Sequence, residues 1–187
     1  MATLAIRGSD ANMDKKILIF GRGYCSGHVA KKLLESGWAI TWVRREATGG
    51  AIALCDKKSV KTAIAGASHI LSCVPPERTT GDTVLASYSD ALSKAPASWI
   101  GYLSSTGVYG DAKGAWVDEN APLLGRRVRR IEADLGWQAL GSNTCVLRLP
   151  GIYGPGRSIF ERIAEGRAHR IDLPNQVFSR IHVVDIS

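Results

Sequence analysis

The stretch Ile17-Leu18-Ile19-Phe20-Gly21-Arg22-Gly23-Tyr24-Cys25-Ser26-Gly27 decides how the rest of this sequence is read. Its first four residues are apolar with no polar alternation, the pattern of a strand buried on both faces. Glycines follow at once. Beyond them Val29, Ala30, Leu33 and Leu34 share one face at helical spacing, so a helix is expected over 27–36. Gly37 stands where a helix C-cap favours glycine. Strand, glycine turn and helix in that order make a cradle for phosphate. The backbone turns sharply and lies close to the anion, and the helix offers unpaired N–H groups and its positive dipole end. Gly21 and Gly23 fill the first two positions of G-x-G-x-x-G, and the third falls on Ser26, with Gly27 one place later. Serine is small enough for helix and strand to pack. Gly21, Gly23, Tyr24, Cys25 and Ser26 are therefore expected to bind a dinucleotide.

Working outward, strands and helices alternate. Strands are expected over 39–43, 51–54, 70–74, 99–103, 145–149 and 180–183. Helices are expected over 60–65, 83–92, 127–140 and 159–165. This order predicts an α/β fold with a doubly wound parallel sheet of Rossmann type, three layers deep. Polar and glycine-rich punctuation repeatedly follows the strand ends, the edge where an open parallel sheet binds ligands.

The end of the second strand bears on which cofactor is held. An NAD site places Asp or Glu there for the ribose hydroxyls. This chain has Arg44 and Arg45, and a guanidinium grips a 2′-phosphate with paired donors. NADP is the expected cofactor and NAD the alternative, in which the two arginines are solvated and Glu46 is the acid that matters. Cys25 lies at a helix N-terminus, where a thiolate is stabilised, but a small filler is the simpler reading.

The composition, 45% apolar and 22% charged over 187 residues, suits one domain over 16–187 after a flexible lead-in over 1–15. No apolar run approaches the roughly 20 residues of a membrane span. Cys25, Cys55, Cys73 and Cys145 form no C-x-x-C pair, so no metal site is expected and reduced thiols in the cytoplasm are. The net charge of +7 permits an anionic partner. The one basic cluster, Arg126, Arg127, Arg129 and Arg130, wraps around a helix without interleaved aromatics, so nucleic acid is not the expected partner.

Four further landmarks follow the glycine turn in order. They are Leu103-Ser104-Ser105-Thr106-Gly107-Val108-Tyr109-Gly110, Val117-Asp118-Glu119-Asn120-Ala121-Pro122, Leu147-Arg148-Leu149-Pro150-Gly151-Ile152-Tyr153-Gly154-Pro155-Gly156 and Arg180-Ile181-His182-Val183-Val184-Asp185. With them the chain resembles the extended short-chain dehydrogenases/reductases of the NAD-dependent epimerase/dehydratase type, from about Lys16 to Asp185. The resemblance implies that Ser105 is the catalytic serine that hydrogen-bonds the substrate oxygen, with Ser104 beside it among the cofactor contacts. It implies that Asp56 meets the adenine and that Val74 and Pro75 wall the adenosine ribose. Pro150, Gly151, Ile152 and Tyr153 would line the nicotinamide. The substrate would be a small molecule, a nucleotide sugar or another carbonyl or hydroxyl compound, and a homodimer is plausible by analogy.

Two departures qualify this. The family's Tyr-x-x-x-Lys pair is absent: no tyrosine occurs between Tyr109 and Tyr153, and Arg126 and Arg130 align with its two positions. Arginine, with a pKa above about 12, does not act as a base near neutrality. The family's chains also continue past the position of Ser187 into most of a substrate lobe, which is expected to be truncated here. One reading is an oxidoreductase with non-standard proton transfer, for which Tyr109, Tyr153, Asp118 and Glu119 are candidates. The alternative is a non-catalytic NADP-binding sensor or interaction module.

Overall fold

The computed structural model describes residues 15–169, 172 and 177–187; the expected lead-in lies outside them apart from Lys15. Strand β1 (Lys16–Phe20) runs down the middle of a parallel sheet between β2 (Ala39–Arg44) and β4 (His69–Ser72). With β3 (Ile52–Ala53), β5 (Trp99–Ser105) and β6 (Thr144–Leu149) the order is β3-β2-β1-β4-β5-β6. Successive strands build outward in one direction from β1 and in the other from β4. The strand order therefore reverses between β1 and β4, which opens a crevice at their carboxyl ends.

Alternation along β1 divides the core in two. Leu18 and Phe20 face a cluster shared with Val60 and Ile64 of α2 (Lys57–Gly66), Tyr88 and Leu92 of α3 (Thr83–Ser93), and Trp137 of α4 (Val128–Gln138). Ile17 and Ile19 face the opposite way, onto Ala30 of α1 (Tyr24–Glu35), with Val29 and Leu33 alongside. A last short helix, α6 (Val183–Ile186), packs against α1. The three layers are those the sequence predicts. Trp137 also ties α4 to α3: its Nε1 donates to Asp82 Oδ2 at 2.8 Å, while Asp82 Oδ1 caps α3 by accepting from the Val84 and Leu85 N–H groups.

The structure differs from expectation at several boundaries. Helix α1 begins at Tyr24, three residues early, because Gly23 serves as N-cap and Ser26 folds back on it. Helix α2 begins at Lys57 because the Asp56 side chain accepts from the Ser59 N–H at 3.1 Å. Strand β3 keeps only two of its four expected residues. The expected strand over 180–183 is β8 (Arg180–His182), and it pairs with β7 (Gly151–Tyr153) in a separate two-stranded sheet. Three residues without alternation give no local strand signal, and β7 exists because a partner 29 positions away in sequence completes its ladder. Helix α5 (Ile159–Ala164) follows, capped by Ser158.

Candidate cofactor and substrate site

The glycine turn sits at the carboxyl end of β1, held by a Gly21 N–H to Val43 carbonyl bond of 2.9 Å. Gly21 has φ +85°, and a Cβ on it would stand 3.0 Å from Val74 Cγ2, so the turn lies against the segment that follows β4. Gly23 is different: a Cβ there meets nothing within 4 Å. The space above it is open, and the start of α1 carries no acidic residue. Ser26 is fully buried, accepting from the Gly23 N–H at 2.7 Å and donating to its carbonyl at 3.2 Å. It packs helix on strand as the third glycine would, and so the cradle fits a pyrophosphate. Tyr24 reaches the other way. Its hydroxyl donates to the Pro155 carbonyl at 2.9 Å and Arg157 lies over its ring, which anchors the segment after β7 beside the turn.

Arg44 and Arg45 leave the end of β2 on different tasks. Arg44 Nη1 donates to Thr48 Oγ1, and Arg45 lies 3.4 Å from Glu77 in an exposed, weak pair. Arg22 lies 5.6 Å above the Trp42 ring, on the side of β2 that alternation also gives to Arg44. Asp56, besides capping α2, stays ionised at the sheet edge, because its hydrogen bonds from Ser59 hold its carboxyl below the usual range. Burial pushes the Cys25 thiol up despite its place at the helix start, with Arg157 opposing, and burial and then Cys25 push Cys73 up to about 12.

Adjacent residues on β5 part company. Ser105 caps the 3-10 turn at Thr106–Val108 by accepting from the Gly107 N–H at 3.1 Å, which leaves its hydroxyl proton to donate into the adjoining cavity. Ser104 is buried and donates to Asp134 Oδ2 at 2.6 Å. That bond engages its hydroxyl proton. Asp134, fully buried on α4, also accepts from Arg148 through Nε and Nη2 and from Gln138. Arg148 in turn donates to the Tyr109 hydroxyl at 2.9 Å and lies over its ring. Tyr109 is thus part of a packed ion-pair network. The cavity, about 1330 Å³, is open and lined by Ser105, Thr106, Tyr109, Arg126, Arg130 and Phe178 among others. Tyr153 lies outside that lining, its ring edge-on to His182 at 5.1 Å.

No protein-family profile matches the chain, nor does any curated protein. Solved structures do. A functionally unknown conserved protein from Silicibacter pomeroyi is 37% identical with a TM-score of 0.76, over 92% of this chain and 65% of that one. A Methylobacillus flagellatus protein designated an NAD-dependent epimerase/dehydratase is 28% identical with a TM-score of 0.68, over 92% and 67%. A short-chain dehydrogenase/reductase superfamily protein from Agrobacterium tumefaciens with bound NAD is 22% identical with a TM-score of 0.57, over 73% and 49%. The fold is that of an extended short-chain dehydrogenase/reductase. This chain spans 65% of the length of the Silicibacter protein.

Within the extended short-chain dehydrogenase/reductase fold, Arg126 and Arg130 do reach the Ser105 side of the sheet. The Gly125 N–H donates to the Val108 carbonyl at 2.9 Å, and a Cβ on Gly125 would stand 2.3 Å from the Gly107 oxygen. Only glycine permits that approach, which fixes Arg126 beside the turn that follows Ser105. Among the described residues no group of three or more His, Cys, Asp or Glu is placed to hold a metal ion, and no helix is long and apolar enough to cross a membrane.

Proposed function

We propose that the chain binds NADP across the crevice at the ends of β1, β2 and β4 and supports hydride transfer at a carbonyl or hydroxyl carbon held beside Ser105. The observation that carries this reading is the open space over Gly23, at the start of α1, on the same sheet edge as the Ser105 cavity. When bound, the cofactor supplies the hydride donor or acceptor. The chain supplies position and polarity. The N–H groups of the first turn of α1 meet the pyrophosphate. Arg44 and Arg45, with Arg22 beside them, meet the 2′-phosphate, for which Arg45 exchanges its weak contact with Glu77. Asp56 stands by the adenine, Val74 and Pro75 by the ribose, and the segment Pro150 to Tyr153 by the nicotinamide. Ser105 donates its hydroxyl proton to the substrate oxygen. Arg126 and Arg130 stand where a Tyr/Lys pair would act, and a guanidinium steadies an oxyanion without exchanging its proton. The proton accordingly passes to or from solvent through the open cavity. A nucleotide sugar is one substrate of suitable size, and the folded unit over 16–187 is the cofactor domain with the start of a substrate lobe.

Two outcomes test this. The double variant R44Q/R45Q is expected to bind NADPH about tenfold more weakly, as for one lost charge-assisted hydrogen bond, with NADH affinity within twofold of wild type. Fluorescence titration reads both, and equal losses for the two cofactors would remove the 2′-phosphate contact. Ser105→Ala is expected to lower NADPH-dependent turnover about tenfold, the worth of one neutral hydrogen bond, without weakening NADPH binding. Substitution of the Tyr/Lys positions by arginine favours a second reading, a cofactor sensor. Tight NADPH binding with no absorbance change across aldehydes, ketones and nucleotide sugars, and no epimerised product, would select it.

A further inference from the structure

The cavity beside Ser105 carries a charge imbalance that cofactor binding leaves unused. Lys113, Arg126, Arg127 and Arg130 line it, against one carboxylate, Asp111, whose Oδ1 accepts from the Lys113 N–H at 2.8 Å. Among the described residues Arg126, Arg127 and Arg130 have no acidic partner within ion-pair distance. Their neighbour Arg129, which is not among the cavity-lining residues, does: its Nη1 lies 2.8 Å from Glu132 Oε2. The carboxylate of this turn is thus spent on the one arginine outside the cavity lining. A surface cluster of arginines is ordinarily solvated and needs no ligand. Here three of them line one concavity, with Phe178 and Tyr109 also in its walls, and charges of one sign lining a cleft raise the local concentration of the opposite charge. The bond from the Gly125 N–H to the Val108 carbonyl sets Arg126 next to the segment that follows Ser105, not at a remote rim.

We propose that the cavity takes a substrate bearing an oxyanionic group, carboxylate or phosphate, near its reacting end, gripped by Arg126 and Arg130 while Ser105 holds the reacting oxygen. The proposal rests on the functional reading above for the word substrate; the anion site itself does not. Guanidinium groups bind planar oxyanions with paired donors, so charge and geometry both select such a group over a neutral analogue.

The test is titration calorimetry of the full chain, with and without NADPH, using malonate, its neutral counterpart malonamide, and inorganic phosphate. Malonate or phosphate is expected to bind at least tenfold more tightly than malonamide. The tighter of the two anions identifies the group as carboxylate or phosphate. R126Q/R130Q is expected to weaken that anion at least tenfold, R126K/R130K to retain part of the affinity, and R129Q to stay within twofold of wild type. Malonamide binding as well as both anions would overturn the proposal, as would an unchanged R126Q/R130Q or an equal loss in R129Q. NADPH binding on the same samples separates the two ideas. Anion binding without NADPH binding refutes the functional reading and keeps the site; NADPH binding without anion binding does the reverse.

Discussion

Asp134→Ala lowers the stability of the chain by about 3–5 kcal/mol, the expected cost of removing one partner from a buried ion pair. Asp134 is fully buried, and its two oxygens accept from Arg148 in a forked arrangement at 2.9 and 3.2 Å, from the Ser104 hydroxyl at 2.6 Å and from Gln138 at 2.7 Å. Without the carboxylate the Arg148 guanidinium, only 12% exposed, keeps the Tyr109 hydroxyl and the Glu119 carbonyl as partners and no counter-charge. The same loss would loosen α4 from β5 and β6 and so disturb the Ser105 cavity. Urea denaturation checks the magnitude. The double variant D134L/R148M is expected to regain most of the stability, because it removes both charges and leaves apolar volume in their place. A cost below about 1 kcal/mol for Asp134→Ala, as exposed pairs give, would mean that this network does not hold α4 to β5 and β6.

Gly23→Ala is expected to weaken NADPH binding on the order of 100-fold, about 2.7 kcal/mol, which is the loss of one or two charge-assisted hydrogen bonds to the pyrophosphate. The protein itself has room for the methyl group, since nothing lies within 4 Å of the position. Gly23 also has extended backbone angles, φ −129° and ψ −164°, which alanine adopts without strain. The remaining cost is that of alanine at a helix N-cap, about 1 kcal/mol or less relative to glycine. Binding and stability therefore part: NADPH titration should show the large loss and thermal melting only a small one. Unchanged NADPH affinity would mean that the open space over α1 does not receive the pyrophosphate, and the functional reading would fall with it.

The sheet was legible because β1, β4 and β6 are short, mostly apolar segments followed closely by glycine or proline, in alternation with helical patterns. The start of α1 was hidden because Gly23, Tyr24, Cys25 and Ser26 carry no apolar periodicity; the helix begins there through capping bonds, which hydropathy does not record. The difference between Ser104 and Ser105 was half legible. Alternation sends neighbours on a strand to opposite faces. Which one meets the buried Asp134 depends on α4, 30 residues along. Nothing near Asp134 or Arg148 in the chain marks them as partners, since their pairing spans 14 positions and two elements.

The sequence by itself therefore determined the strand-turn-helix cradle and the alternation of strands with helices, because each depends on residues near one another in the chain. Tertiary structure alone decided which charges are used and which are free. Arg148 is consumed by Asp134, Arg129 by Glu132 and Arg45 weakly by Glu77, while among the described residues Arg126, Arg127 and Arg130 line the Ser105 cavity with no ion-pair partner. That division follows from burial and from distances across elements, and only packing sets either.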